Sequence, residues 1–351
     1  ALALSLATLT LSGCALFQKS GELPPGVTAV PEVFRSSDYP DAEIDSLALW
    51  QDPAGENHRL YVTGKESHAV YVLDGLTGET VETLGGEGIE LGYFLYPNGV
   101  AAMGDSYILI VERDNHRVQI LNGETGESMS IFGEDILKTP YGIDLYESEA
   151  GVFEILVTDS FEIDDKDPEA YAKRHKLRVK HFTADTTGEE IDVRFRGAFG
   201  ASEGLGLLRE VESIAIDQEK DRIFLADEAT DSIKVYDLDG NFTGQIVGLG
   251  LIEGDPEGIA IYKDDALDTG GYLVLTDQRP RLTVFHIYSR DGVHHLGRFT
   301  SNDNLANTDG IALVQGDLGK FQQGAFYAVH DDESVAALSF GLVLDALGLE
   351  N

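Results

Sequence analysis

The sequence predicts an all-β fold, a six-bladed β-propeller whose ring is closed by an N-terminal strand. Three observations predict it. First, 39 glycines and 10 prolines punctuate 351 residues, and hydrophobic residues make up 42% of the chain, enough for a large core broken by many turns. Second, a segment of one polar residue followed by small and β-branched residues recurs six times, opening at Asp45 (DSLALW), Asn98 (NGVAAM), Tyr141 (YGIDLY), Glu212 (ESIAID), Glu257 (EGIAIY) and Asp309 (DGIALV). Intervals of roughly 40 to 70 residues between these openers suit blades of four strands with insertions. Third, no helical period of useful length separates the strands, as a doubly wound α/β fold would require.

Within each unit the opener begins a first strand. A second follows a polar turn, namely RLYVTGK, YILIVER, EILVTDS, RIFLADE, YLVLTDQ and AFYAVHD. A third, such as HAVYVLD, HRVQILN, SIKVYDL or RLTVFHI, comes next, and often a short fourth after a glycine turn. The longest interval holds a charged, unpatterned stretch, residues 161–176, which reads as an exposed loop with a helical turn. The last unit reaches Leu349 without a fourth strand, while residues 27–36 (VTAVPEVFRS) read as a strand upstream of the first blade. Pairing of that strand in the final blade would close the ring and remove sheet edges that invite aggregation. The propeller therefore spans residues 27–351, preceded by a tether, residues 14–26.

Residues 1–13 are uncharged and mostly apolar, too short to cross a bilayer, and run through Leu11, Ser12 and Gly13 into Cys14. This ending resembles a bacterial lipobox. The resemblance implies a signal-peptide remnant, a lipid on Cys14, export, and anchoring in the envelope, with Ala15 favouring the outer membrane over the inner. Cys14 is the single cysteine, so no intramolecular disulfide is possible.

Charge narrows the partners. Sixty-two acidic residues against 25 basic ones give a net charge of −37, which excludes nucleic acid and a directly bound anionic membrane. In a propeller the residues before each innermost strand surround one end of the axis, and the ends of the antiparallel second strands point to the same rim. That rim gathers the six openers with Lys65, Glu112, Arg113, Asp159, Asp227, Glu228, Asp277, Gln278, Asp331 and Asp332. Clustered carboxylates repel unless protonated or neutralised by a hard cation, and an all-oxygen set with His330 as its nearby histidine suits Ca²⁺ rather than Zn²⁺. Single acidic residues at strand ends also cap turns.

These residues resemble the β-propeller phytases, six-bladed calcium-dependent enzymes acting on inositol hexakisphosphate. The likeness is densest over residues 208–349, where VESIAID with IFLADE, DPEGIAIY with YLVLTDQ, and NTDGIALV with LGKFQQGAFYAVHDD follow the family's order. The resemblance implies several Ca²⁺ ions held by Asp45, Glu212, Glu228, Glu257, Asp309 and Asp331, with catalysis resting on Glu212, Glu228 and Asp309. It also implies substrate contacts from Lys65, Arg113, Tyr141 and Gln278. Ser46 stands where the family has a second aspartate, Leu47 where it has proline, and Asp159 with Ser160 where it has a Lys-Glu pair.

A second stretch, Gly92 to Ile120, resembles an NHL repeat, whose propellers often bind partners without catalysis. There Asn115, His116 and Arg117 read as a turn with an outward-facing polar edge, and His294 and His295 as surface residues. No G-x-S-x-G elbow, Walker loop, HExxH or cysteine cluster occurs. The expected function is a monomeric calcium-dependent phosphomonoester hydrolase acting on phytate or related inositol phosphates. The alternatives are a non-catalytic NHL-like propeller that binds a protein or envelope component and a calcium-dependent lactonase-type propeller.

Overall fold

The computed structural model describes residues 23–55, 57–160, 177–316 and 318–350. The signal remnant, Cys14, most of the tether and the 161–176 loop lie outside the described residues. The chain enters through β1 (Val27–Val30) and β2 (Glu32–Arg35). Blade one is β3 (Ile44–Trp50), β4 (Arg59–Gly64), β5 (Ala69–Asp74) and β6 (Thr80–Gly85). Blade two is β7 (Pro97–Met103), β8 (Tyr107–Glu112), β9 (Arg117–Asn122) and β10 (Ser128–Phe132). Blade three is β11 (Pro140–Glu149), β12 (Val152–Asp159), β13 (Val179–Asp185) and β14 (Asp192–Phe199). Blade four is β15 (Val211–Asp217), β16 (Arg222–Asp227), β17 (Ser232–Tyr236) and β18 (Phe242–Val247). Blade five is β19 (Asp255–Lys263), β20 (Gly271–Gln278), β21 (Val284–Ser289) and β22 (His295–Ser301). Blade six has β23 (Ile311–Gln315), β24 (Gly324–His330) and β25 (Ser334–Ser339). The six sheets form a six-bladed propeller, as the repeat predicts.

The core lies between blades, because alternate residues of a strand face opposite sides of its sheet. In β8, Ile108 and Ile110 pack with Trp50, Tyr61 and Val70 of blade one, while Leu109 and Val111 pack with Ile143, Ile155 and Val157 of blade three. Each of the other blade junctions has its own apolar cluster. A near-continuous apolar run such as YILIVE is what two buried faces demand. Buried phenols tie junctions together: the Tyr61 hydroxyl donates to the Gly123 carbonyl at 2.8 Å and that of Tyr327 to the Gly75 carbonyl at 2.7 Å.

Closure differs from the sequence expectation in one respect. Only the second half of the upstream strand completes the last blade: β2 pairs antiparallel with β25, placing Arg35 opposite Ala336. The first half, β1, joins blade five as a parallel fifth strand beside β22, with Val27 opposite Arg298. Pro31 separates the two and explains the split, since it lacks the amide that would continue one ladder. The sequence reading also passed over α1 (Phe340–Leu347), a helix that follows β25 and buries Val343 and Leu344 in the junction of blades five and six.

Deleting residues through Arg35 removes β1 and β2 and bares the outer edge of β25. A chain starting at Ser36 is expected to elute from a sizing column as oligomers or aggregate, whereas one starting at Leu23 keeps the elution of the full chain. Identical elution of the two would contradict closure by β2.

Candidate functional site

Five of the six openers sit at an irregularity of the innermost strand, and the sixth, Asp309, lies just before β23. The ladder slips between Ile44 and Leu47, Pro97 and Val100, Pro140 and Ile143, Val211 and Ile214, and Pro256 and Ile259. Such bulges re-aim a side chain, here toward the axis. The residue after each opener is Ser46, Gly99, Gly142, Ser213, Gly258 or Gly310, and these line a narrow neck of about 70 Å³. Close approach explains the glycines. A Cβ on Gly99 would lie 2.2 Å from the Tyr141 carbonyl oxygen, and one on Gly142 2.3 Å from that of Glu212. A Cβ on Gly310 would likewise lie 2.5 Å from the Asp45 carbonyl oxygen, so these inner strands press against the opener of the next blade. The Thr158 hydroxyl fixes the same contact by donating to the Glu212 carbonyl at 2.6 Å. Beyond the neck the channel widens to about 300 Å³ between apolar residues, with Asp144 and Lys263 at its far end.

The structure divides the expected rim residues into two sets. Glu112, Asp159, Asp227 and Asp277 end their strands pointing into their own blades and are fully buried. They tie down the loop before the same blade. Asp159 accepts the Lys138 and Thr139 amides at 3.1 and 2.7 Å, and Asp227 those of Arg209 and Glu210 at 3.1 Å each. Asp277 accepts the Glu253 and Gly254 amides at 3.2 and 2.8 Å. Each carboxylate also meets a cation or histidine on the third strand: Arg117 on Glu112 at 2.7 Å, Lys180 on Asp159 at 3.0 Å, Lys234 on Asp227, and His286 on Asp277 at 3.3 Å. Burial alone would raise Asp277, but His286 and Arg279 hold it down at about 2. His330 fills this position in blade six, accepting the Ala306 amide at 3.2 Å. These residues are structural anchors and not part of the rim, which corrects the sequence grouping.

Arg117 requires a further correction. It is 2% exposed and faces inward, because the buried Glu112 needs its charge, so it forms no outward polar edge. Asn115 joins the same group, donating to Glu112. His294 and His295 are exposed as expected, although His295 also reaches the buried His286 at 3.2 Å.

The second set surrounds the axis. Lys65 lies buried with its ammonium 3.1 Å from Glu43, 3.0 Å from Asp45 and 3.2 Å from Asp309. Burial would lower the Lys65 pKa, but Asp45, Asp309 and Glu43 outweigh it and raise it. The Tyr141 hydroxyl donates to Asp45 at 2.9 Å, Ser46 donates to the other Asp45 oxygen at 2.9 Å, and Gln278 donates to Asp309. On the other side of the ring, Glu212, Glu228 and Glu257 each bring a carboxylate oxygen within 4.8 Å of the other two. Glu257 is 7% exposed, and the buried Oε1 of Glu228 accepts no hydrogen bond. Burial, then the neighbouring carboxylates, push Glu212 and Glu257 well above the usual carboxylate range, and burial with Asp45 does the same to Asp309. Asp332 rises to about 6, chiefly through burial.

Arg113 stands at the edge, its guanidinium 3.4 Å above the Tyr96 ring and 2.7 Å from Asp114. Asp331 is exposed, and Asp332, beside it, carries a buried Oδ1 that accepts no hydrogen bond. Sequence reasoning omitted Glu43 and Tyr96 from the site, since they lie in loops before the openers. The donor chemistry of the Glu212, Glu228 and Glu257 group, all carboxylate oxygen with no ammonium or amide between, fits a hard divalent cation.

Neither a protein-family model nor a curated protein sequence matches the chain. Solved structures share its fold at low identity. The calcium-binding protein regucalcin from Agrobacterium tumefaciens aligns over 89% of this chain and 97% of its own, with a TM-score of 0.54 and 14% identity. Virginiamycin B lyase from Staphylococcus aureus aligns over 86% of this chain and 82% of its own, with a TM-score of 0.51 and 11% identity. These likenesses show the shared propeller fold.

The raised carboxyls give a signed prediction. A group whose pKa is higher folded than unfolded stabilises the fold below its unfolded value, near 4 for a carboxylate, and that contribution is lost as pH climbs through the folded value. In EDTA, stability contributed by Glu212, Glu257, Asp309 and Asp332 is therefore expected to fall from about pH 4 to beyond 6. Asp144, also raised to about 6 by burial, adds to the fall, whereas His295 and His330, lowered by burial, oppose it below about pH 6.5. Calcium should remove the rim's share, so the gap between melting temperatures with Ca²⁺ and with EDTA should widen with pH. A gap independent of pH would contradict the cation site.

Proposed function

We propose that this chain is a calcium-dependent, phytase-like phosphomonoester hydrolase that works at the axial rim on inositol phosphates. The observation that carries the proposal is the Glu212, Glu228 and Glu257 group, three converging carboxylates of which Glu257 is more than nine-tenths buried. Such a group is costly without a cation. The phosphomonoester class comes from the sequence likeness over residues 208–349.

A bound calcium ion supplies charge neutralisation for a phosphoryl group, which turns an acidic rim into an anion-attracting one. Glu212, Glu228 and Glu257 would hold it. Asp45 fixes the Tyr141 hydroxyl, and Asp309 is fixed by Gln278 and Lys65, so the wall beside the cation is rigid. Arg113, with its guanidinium partly exposed, offers a planar donor to a substrate phosphate at the rim. In this reading the chain is exported and held at the outer membrane by a lipid on Cys14.

The purified chain is expected to release inorganic phosphate from calcium phytate and to stop in EDTA. Glu228→Gln should lower kcat by about tenfold or more, while Arg113→Ala should raise KM with little change in kcat. No phosphate release from any phosphomonoester in the presence of calcium would overturn the proposal and leave a binding propeller.

A further inference from the structure

We infer that Lys65 is a cation built into the centre, occupying the position of a second metal ion, so that the rim takes a single divalent cation at Glu212, Glu228 and Glu257. The inference rests on the cation reading above and deepens it.

An ammonium has three N–H donors and no more. Lys65 meets three carboxylates, Glu43, Asp45 and Asp309, at 3.0 to 3.2 Å. With its side chain 9% exposed, it has no donor to spare for a substrate phosphate. The oxygens around it are also committed. Asp45 Oδ1 receives Lys65 and Tyr141, and its Oδ2 receives Ser46. Asp309 Oδ1 receives Gln278, and its Oδ2 receives Lys65. Glu43 Oε1 receives Lys65 and, at 3.3 Å, the Tyr96 hydroxyl. A metal ion entering this half of the ring would have to displace a buried ammonium and several hydrogen bonds at once.

The other half has the opposite character. Glu212, Glu228 and Glu257 converge with no lysine, arginine, amide or hydroxyl donating to their side chains among the described contacts. The ring is therefore split into a lobe whose charge Lys65 offsets and a lobe of three carboxylates open to an ion from solution. Ser46 belongs to this division: its hydroxyl donates to Asp45 and brings no further negative charge to the lobe that Lys65 serves.

The test is a count of Ca²⁺ bound per chain, by calorimetric titration of metal-free protein with calcium alone. Only sites with Kd below about 10 µM are counted, to set aside weak surface carboxylates. The parent is expected to bind one ion and Lys65→Met two, because removing the ammonium leaves Glu43, Asp45 and Asp309 without a counter-ion. Lys65→Arg, which keeps the charge, should stay at one. Glu257→Gln in the parent should weaken the single site by at least about tenfold. Two or more ions in the parent, or one in Lys65→Met, would overturn the inference while leaving the cation reading intact. No ion in the parent would overturn both. Should Lys65→Met fail to fold, the parent's own count decides between one ion and several.

Discussion

Six inner strands packed around one axis force their opening side chains together, and four of the six openers are carboxylates: Asp45, Glu212, Glu257 and Asp309. The convergence is a backbone property, set in three blades by a glycine at the next position, Gly99, Gly142 or Gly310, where a Cβ would strike the neighbouring blade's carbonyl. Charge repulsion is the consequence, and the rest of the rim responds to it. Lys65 is drawn into a buried position that an ammonium takes only when well paired, Tyr141 and Gln278 donate to the same oxygens, and the remaining carboxyls shift toward their neutral forms. A divalent cation at Glu212, Glu228 and Glu257, as proposed above, would neutralise the charge that remains.

The end of each second strand shows how one short motif serves two purposes. The last strand residue, such as Asp227, turns into the blade, anchors backbone amides and meets a third-strand cation. The next residue, such as Glu228, turns toward the axis. Sequence alone shows two adjacent carboxylates and cannot say which faces where, because the turn interrupts the strand's two-residue alternation. The consequence is a rim with four fewer carboxylates than the sequence suggests, Glu112, Asp159, Asp227 and Asp277 being buried in their own blades. The inward direction of Arg117 is equally invisible to a local pattern, since it is set by Glu112 five residues earlier, across the turn.

The blades themselves were plain in the sequence, because the openers and the apolar second strands repeat in order and every blade must bury both faces. The position of Glu212, Glu228 and Glu257 around one axis followed from that repeat. The partition of the closing segment did not, since VTAVPEVFRS reads as one strand and only Pro31 hints at two ladders. The helix at Phe340–Leu347 was hidden by an apolar composition equally suited to a strand. The capture of Lys65 joins Glu43 and Asp45, its neighbours across the β3–β4 hairpin, to Asp309 from the far end of the chain, a link that no local pattern shows.

The central claim is that the axial rim holds a divalent cation on the side away from Lys65. The most direct measurement is anomalous diffraction from crystals grown with calcium. The account predicts a peak between the carboxylates of Glu212, Glu228 and Glu257, with the Lys65 ammonium still seated on Asp45 and Asp309. A rim without a peak, or a peak between Asp45 and Asp309 with Lys65 expelled, would contradict it.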